Sequence, residues 1–204
     1  MTTQSLKIFH KKKGVYLDTY QWILLISTVF LFSISYLDSI YGFDTRDWIP
    51  RIGIVWILYF LGFIVSNFFR EQKVIGDYKD ELIFWKNKIQ VGKLEFSLEE
   101  ISKLDFINAS DIQGRYKGIT GLSPYISNGL DNIFVLKLKN GNVISDNFLQ
   151  TEWQRLKLFK ETMIHYYQVG ILEWLRLLDI LGIKGYDNIQ QFKEEVKNYA
   201  PHRL

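Results

Sequence analysis

The sequence of 204 residues contains no cysteine and only three prolines, and neither sign of charge dominates it. The absence of cysteine excludes disulfides, thiolate zinc sites, iron–sulfur clusters and thiol catalysis. The net charge is only +3, and residues 71–204 contain equal numbers of basic and acidic side chains. Because a nucleic-acid-binding domain is normally basic, we expect no nucleic acid partner.

Two long stretches of the chain lack charge altogether. Residues 20–37 and 52–69 contain no Asp, Glu, Lys or Arg. Since an α-helix rises about 1.5 Å per residue, each run reaches most of the way across a hydrocarbon layer roughly 30 Å thick. Aromatic residues suited to the headgroup layer lie at the ends of the runs, namely Tyr20, Trp22, Tyr36, Tyr41, Trp48 and Phe69. The pattern predicts a transmembrane helical hairpin over residues 20–70.

Basic residues flank this hairpin unevenly. Those outside the runs are Lys7, Lys11, Lys12 and Lys13 before the first, Arg46 and Arg51 between the two, and Arg70, Lys73 and Lys79 after the second. The positive-inside rule then predicts a two-pass protein with both termini in the cytoplasm and Lys11, Lys12 and Lys13 as the topology signal. Residues 1–19 are expected to be a basic cytoplasmic segment. The alternative, a cleaved signal peptide, is disfavoured because no alanine lies near the end of the first run and a second apolar run follows.

Residues 71–169 begin with the short apolar segments that are typical of antiparallel strands. The predicted strands are 74–79, 81–86, 88–92, 94–96, 101–108, 133–139 and 142–148. Asn140-Gly141 lies between the last two, and such a pair readily takes the positive φ values of a tight hairpin turn. We therefore expect these two strands to pair, with Phe134, Leu136 and Leu138 on one face.

After residue 150 the apolar period becomes helical. Thr151 and Gln154 form a capping-box pattern, which predicts a helix from Thr151 to the stop at Gly170. Its apolar positions are Trp153, Leu156, Phe159, Met163 and Tyr167. Residues 170–204 are predicted to form an extension of further helices, the first nearly apolar over 171–182 and the last beginning near Asp187.

The helix pair between Trp22 and Phe69, the strands around Asn140-Gly141 and the helix opened by Thr151 together resemble a group of bacterial membrane proteins. In these proteins two N-terminal transmembrane helices carry a cytoplasmic pleckstrin-homology (PH)-like domain. The resemblance covers roughly residues 20–168 and implies a membrane-anchored α+β fold. It implies that residues 71–169 form a PH-like antiparallel sheet or split barrel closed by a C-terminal helix. It implies no enzymatic activity and transfers no functional residues.

The Gly-rich segment 112–132 is the first candidate site. Arg115 and Lys117, with the backbone amides near Gly118 and Gly121, could hold a phosphate or an anionic lipid headgroup. The segment lacks the spacing of a P-loop. The alternative interpretation is a mobile loop between two strands.

The second candidate site is an apolar stripe in the C-terminal extension. Its members are Ile171, Trp174, Leu175, Leu178 and Leu181. One interpretation is that the stripe covers the sheet. The other is an exposed face that binds a protein partner, pairs with a second copy of the chain or lies on the inner leaflet of the membrane.

The sequence shows no arrangement of residues typical of an enzyme or a metal site. His10, His165 and His202 have no second ligand at metal-binding spacing, and adjacent carboxylates point in different directions on a helix. We expect no catalysis, no metal and no cofactor. The predicted function is a non-catalytic binding or scaffold module that recruits or regulates a protein at the bacterial inner membrane. The alternative is recognition of an anionic lipid or phosphate headgroup by the PH-like domain.

Overall fold

The computed structural model describes residues 4–42, 47–118 and 121–199, which form two compact units. One unit, here called the sheet unit, is drawn from the segments Met1–Lys12, Val74–Arg115 and Ser127–Leu204. The other, here called the hairpin unit, is drawn from Lys13–Lys73 and Tyr116–Ile126. The prediction of two apolar helices followed by an α+β region is confirmed at this coarse level.

The sheet unit is built on seven antiparallel strands. They are β1 (Ser5–Lys11), β2 (Gly76–Phe84), β3 (Lys88–Val91), β4 (Leu94–Ser97), β5 (Ile101–Ile107), β6 (Asn132–Leu138) and β7 (Val143–Phe148). Their order across the sheet is β4-β3-β2-β1-β7-β6-β5. Two meanders, β1 to β4 and β5 to β7, are therefore joined through the pairing of β1 with β7.

The central strand β1 was not predicted, because residues 1–19 were expected to be only a basic segment. Leu6 and Ile8 are buried, and β1 pairs with β2 from Ser5 opposite Ile83 to Lys11 opposite Gly76. The two apolar helices therefore occur in the chain between two neighbouring strands of one sheet. The glycine at position 76 is required there, since a Cβ would lie 2.2 Å from the carbonyl oxygen of His10.

Strand β2 is a single strand where the sequence pattern predicted two, at 74–79 and 81–86. Its first half is exposed and pairs with β1 alone, whereas Leu82 to Phe84 also pair with β3. The polar residues between the two predicted strands therefore mark an exposed stretch of one strand. Continuous pairing with β1 keeps that stretch extended.

The hairpin predicted at Asn140-Gly141 is confirmed. Strands β6 and β7 pair as far as Lys137 opposite Val143, and Phe134, Leu136 and Leu138 are buried as expected. Of the two turn residues only Gly141 has a positive φ, at 90°, and the Asn140 side chain accepts a hydrogen bond from the Asn142 amide.

The predicted helix start at Thr151 is wrong. Thr151 and Gln154 close a turn through reciprocal backbone hydrogen bonds, and the Gln154 amide also donates to the Thr151 hydroxyl at 3.1 Å. A short 3₁₀ turn over Leu156–Phe159 then leads into the helix α3 (Lys160–Gln168). Because residues 151–154 form a turn, Trp153 is 90% exposed.

Helices α3, α4 (Trp174–Leu181) and α5 (Tyr186–Asn198) complete the sheet unit. Its core contains side chains from the strands and from these helices. Phe84 lies against rings on both sides of the core, with centroids 6.1 Å from Phe106 and 5.9 Å from Phe159. The Tyr166 hydroxyl donates to the Trp85 carbonyl at 2.7 Å, and burial raises the pKa of this tyrosine. The helices therefore stabilise the sheet by removing apolar surface from water.

The hairpin unit contains α1 (Thr19–Tyr41) and α2 (Ile49–Asn67). Asp18 and Gln21 form a reciprocal capping box at the start of α1. Trp56 of α2 donates its indole N–H to the Ser27 hydroxyl of α1 at 3.1 Å. Both helices are long and apolar enough to cross a membrane, and few of their side chains are buried by protein.

Candidate functional site

The apolar stripe of the C-terminal extension belongs largely to the core of the sheet unit. Ile171, Leu178 and Leu181 are buried. Trp174 is partly buried, and its ring stacks on Phe192 with centroids 5.6 Å apart. Leu175 is the exception, with 72% of its surface exposed. Of the five residues proposed for partner binding, only Leu175 and the edge of Trp174 are accessible in this structure.

Helix α4 lies along the outer edge of β5, which explains this burial. The Leu104 amide donates to the Ile171 carbonyl at 2.7 Å, so the segment before α4 hydrogen-bonds to the edge strand. Two ion pairs fix the helix there, Arg176 with Asp105 and Lys103 with Glu173, each at 2.6 Å. The hydrogen bond that the Lys103 ammonium donates to the Glu173 carboxylate raises the pKa of Lys103. An exposed strand edge favours aggregation, and α4 covers this one.

The Gly-rich segment 112–132 is divided between the two units. Arg115 lies in the sheet unit, where its Nε is 2.5 Å from the Glu152 carboxylate. Arg155 approaches the same carboxylate at 3.2 Å, and the hydrogen bond from Arg115 lowers the pKa of Glu152. The charge of Arg115 is thus already matched by a carboxylate, which weakens its attraction for a phosphate.

Lys117, Gly118 and Gly121 lie in the hairpin unit. The Lys117 amide donates to the Tyr125 carbonyl at 2.8 Å, so this stretch folds back on itself. Gly118 and Gly121 have φ values of 95° and 66°, which residues other than glycine rarely adopt. The glycines therefore have a conformational reason to be present that is separate from ligand binding.

Residues 121–126 pack on the ends of α1 and α2. Tyr125 is buried, and the edge of its ring meets Phe68 at a centroid distance of 4.9 Å. The Leu122 carbonyl accepts hydrogen bonds from the side-chain amides of Gln21 at 3.0 Å and Asn67 at 3.4 Å. These contacts join the described part of the segment to the ends of both helices.

A polar cluster that the sequence analysis missed lies at the same ends of the helices. Arg70 bonds to the Asp18 carboxylate, contacts the Asn67 side-chain oxygen at 3.3 Å and lies 4.4 Å from the centre of the Tyr20 ring. Asn67 is fully buried although it ends an apolar helix. The sequence signal for this cluster is an asparagine at the end of an apolar run with an arginine three residues later.

The topology lysines have partners in the sheet unit. Lys11 lies 3.4 Å from Asp131, and Lys12 lies 3.5 Å from Asp77. Exposed ion pairs of this kind contribute about 0–1 kcal/mol each. Lys13 begins the hairpin unit. The topology prediction itself is not tested by these contacts.

Neighbouring strands bring two carboxylates to His10, which the sequence could not show. The Nδ1 atom of His10 lies 2.5 Å from Asp146, and its Nε2 lies 3.8 Å from Asp80. Burial raises the pKa of Asp146. His165 contacts the Lys86 carbonyl at 2.9 Å, and His202 lies outside the described residues. Within the described ranges no group of three or more His, Asp or Glu residues is suited to holding a metal ion.

A buried polar network lies at the base of the segment 112–132. The Ser127 hydroxyl donates to Asp111 at 2.6 Å, and the Asp111 amide donates to the Asn132 side-chain oxygen at 3.0 Å. The Asn132 side-chain amide donates to the Asp111 carbonyl at 2.7 Å and accepts, through its oxygen, from Gln150 at 2.9 Å. The Ser127 hydroxyl is therefore held by a carboxylate inside a network of buried polar groups.

Comparisons of this chain with family models, with curated proteins and with solved structures find no match. The resemblance to PH-like membrane proteins therefore stays a prediction.

Proposed function

We propose that this chain is a non-catalytic binding module anchored in the bacterial inner membrane. The observation that carries the proposal is the position of the apolar helices between the neighbouring strands β1 and β2. A chain that leaves the sheet after β1 and returns as β2 attaches the sheet unit to the membrane through two covalent connections. Such an attachment restricts the unit to the membrane surface, where its effective concentration for other membrane-bound molecules is high.

The proposed topology has two passes with both termini in the cytoplasm. The basic residues Lys11, Lys12 and Lys13 lie before α1, and Arg70 follows α2. The aromatic residues Tyr20 and Phe68 mark the same ends of the two helices. These features favour placing that end in the cytoplasmic headgroup layer.

We further propose that the sheet unit is PH-like. Two antiparallel meanders of four and three strands and a helix after the last strand support this assignment. Helices α4 and α5 are additions to that plan. The assignment concerns architecture alone, since function depends on sites and not on the fold.

The proposed activity is recruitment or regulation of a protein at the membrane through the exposed part of α4. Leu175 is the most exposed apolar residue of the predicted stripe, and the partly buried Trp174 precedes it. Aromatic anchors surrounded by exposed apolar contacts are typical of protein interfaces. The proposed contact surface contains only Trp174 and Leu175 of the predicted stripe, because Ile171, Leu178 and Leu181 lie in the core.

Site-specific crosslinking in native membranes tests this proposal. A photoreactive amino acid replaces Leu175 in one variant and Val143, exposed in the β6–β7 hairpin, in the control. We expect one defined crosslinked protein from position 175 and none from position 143. Leu175→Asp should abolish that complex without changing the thermal unfolding of the chain. Identical crosslinks from both positions, or none from either, would contradict the proposal.

A further inference from the structure

A cavity of about 540 Å³ lies beside the C-terminal helices of the sheet unit. Its polar lining comes from Lys157, Lys160, Lys184 and Asn188, and its apolar lining from Leu181 and Ile183. No acidic residue lines it. The cavity is open to solvent, and its lysines are exposed. Its volume lies within the range of about 300–1,000 Å³ that small-molecule sites occupy, whereas its lining is more polar than is usual for such sites.

Three separate segments bring the lysines together. Lys157 comes from the 3₁₀ turn, Lys160 from the start of α3, and Lys184 from the short connection between α4 and α5. Gly182 ends α4 with a φ of 69° and turns the chain towards α5. A Cβ at Gly182 would lie 4.0 Å from the Lys157 ammonium, so that ammonium lies directly over the turn.

The charge of the cavity is only partly matched by protein groups. Lys160 lies 2.6 Å from Glu195 and 5.4 Å from the centre of the Phe192 ring. Lys157 and Lys184 form no ion pair within the part of the chain that the structure describes. Asp187, in the first turn of α5, is the nearest acidic residue along the chain to Lys184, and it does not line the cavity. An anion between the ammonium groups would relieve their mutual repulsion.

We propose that this cavity binds a phosphate group, carried either by a soluble phosphate compound or by a phospholipid headgroup. Each lysine supplies three N–H donors to the phosphate oxygens, and hydrogen bonds between ionised groups are the stronger kind. Leu181 and Ile183 supply an apolar wall for the organic part of the ligand. All of these residues belong to the sheet unit, so the proposal does not depend on the membrane anchor or on a protein partner.

The site differs from the one predicted in segment 112–132. There Arg115 is paired with Glu152, whereas here two lysines have no carboxylate partner among the described residues. No sequence pattern predicts the cavity, because positions 157, 160 and 184 show no motif spacing and come together only in the fold.

Calorimetry on the full chain tests the proposal. The chain is placed in phosphatidylcholine nanodiscs at low salt and titrated with pyrophosphate; flotation with phosphatidylglycerol vesicles forms the second arm. The double variant Lys157→Glu/Lys184→Glu should bind at least about tenfold more weakly, because it removes both unpaired ammonium groups and puts carboxylates in their place. The matched control, Lys137→Glu/Lys139→Glu, makes the same charge change on exposed residues of the sheet and should bind within about twofold of the parent.

A gain of affinity provides a test that unfolding cannot imitate. Glu195→Gln removes the carboxylate that competes for Lys160, so we expect binding to tighten by about threefold. The neutral double variant Lys157→Gln/Lys184→Gln keeps the side-chain lengths and should weaken binding in the same direction as the charge reversal.

The two arms distinguish the sources of phosphate. Binding of pyrophosphate that is lost in the Lys157/Lys184 variants supports a soluble phosphate ligand. Flotation with phosphatidylglycerol alone, lost in the same variants, supports a headgroup. The proposal is overturned if neither probe binds, or if the Lys137/Lys139 control loses binding equally.

Discussion

The sheet unit and the hairpin unit contain the same kinds of apolar residue in opposite surroundings. In the sheet unit Phe106, Phe134 and Phe148 are fully buried by protein. In the hairpin unit Phe32 is 73% exposed and Leu58 is 63% exposed, and their neighbours along α1 and α2 are similar. Exposing a contiguous apolar surface along two whole helices to water is unfavourable. The difference indicates that the surroundings of the helices must supply the burial that the core supplies in the sheet unit.

The two units also differ in where their polar side chains lie. The sheet unit buries a satisfied network around Asn132, whereas the described polar contacts of the hairpin unit concentrate around Asp18, Asn67 and Arg70 at one end of its helices. A polar group inside hydrocarbon has no water to bond. Placing Asp18 and Arg70 at the end of the helices leaves the apolar runs 20–37 and 52–69 free of charge.

The largest expected effect comes from truncating one aromatic ring in each unit. Phe148→Ala removes a fully buried ring, so we expect the free energy of unfolding of the sheet unit to fall by about 3–5 kcal/mol. Phe32→Ala, in an exposed position, should change it by less than about 1 kcal/mol. Urea denaturation of the full chain in detergent, followed by near-ultraviolet circular dichroism, measures both. Equal losses would mean that the two rings lie in equivalent surroundings.

A charge placed on each surface gives the next largest effect. Phe32→Lys, near the middle of α1, should disfavour membrane insertion by about 2.5–3.5 kcal/mol. Trp153→Lys, on an exposed turn of the sheet unit, should leave insertion unchanged. The amount of protein retained in membranes after carbonate extraction reports the difference. Equal retention of the Phe32→Lys and Trp153→Lys variants would contradict a membrane location for α1.

The polar network provides a smaller effect. Asn132→Ala removes the buried hydrogen bonds that the Asn132 side chain makes with the Asp111 carbonyl and with the Gln150 side-chain amide, which should cost about 1–3 kcal/mol of unfolding free energy. Asn198→Ala, at the exposed end of α5, is the matched control and should be close to neutral. The same urea experiment measures both variants, and an unchanged midpoint for Asn132→Ala would argue against a structural role for the network.

The smallest effect is a pH dependence at Asp146. Burial raises the pKa of this carboxyl in the folded state, so the fold favours its protonated form. Stability should therefore fall as pH rises from the unfolded-state pKa of about 3.9 through the higher folded-state pKa. His10 and Asp80 are the titratable side chains that lie beside Asp146, and a positive charge on His10 opposes the shift whereas Asp80 adds to it. Asp146→Asn should flatten this part of the stability profile, whereas Asp187→Asn, exposed at the start of α5, should not.

Local patterns were sufficient to predict the helices and most strands. The uncharged runs predict α1 and α2, and the Asn140-Gly141 pair predicts the hairpin of β6 and β7. Each of these signals lies within a short stretch of sequence. Local patterns do not predict strand β1, because its partner β2 begins more than sixty residues later. The lysines of β1 also fit the basic flank of a membrane helix equally well. The turn at Thr151 shows a similar limit, since a capping pattern is equally satisfied by a closed turn.

The candidate sites were predicted less well than the fold. Ile171, Leu178 and Leu181 were considered for a binding face, but the apolar spacing of a helix does not say whether that face meets a partner or the core of its own domain. Arg115 was considered without its partner Glu152, which lies far along the chain. The lysine cavity and the cluster around Arg70 arise from residues that only the fold brings together.

The most direct test of the account is the sidedness of two single cysteines. The chain contains no cysteine of its own, so Asp47→Cys in the connection between α1 and α2 and Lys139→Cys in the β6–β7 turn each add one reactive thiol. In intact spheroplasts a membrane-impermeant maleimide should label the Asp47→Cys variant, and it should label the Lys139→Cys variant only after lysis. Labelling of both thiols in intact spheroplasts, or of neither until lysis, would contradict a hairpin that crosses the membrane and carries the sheet unit inside.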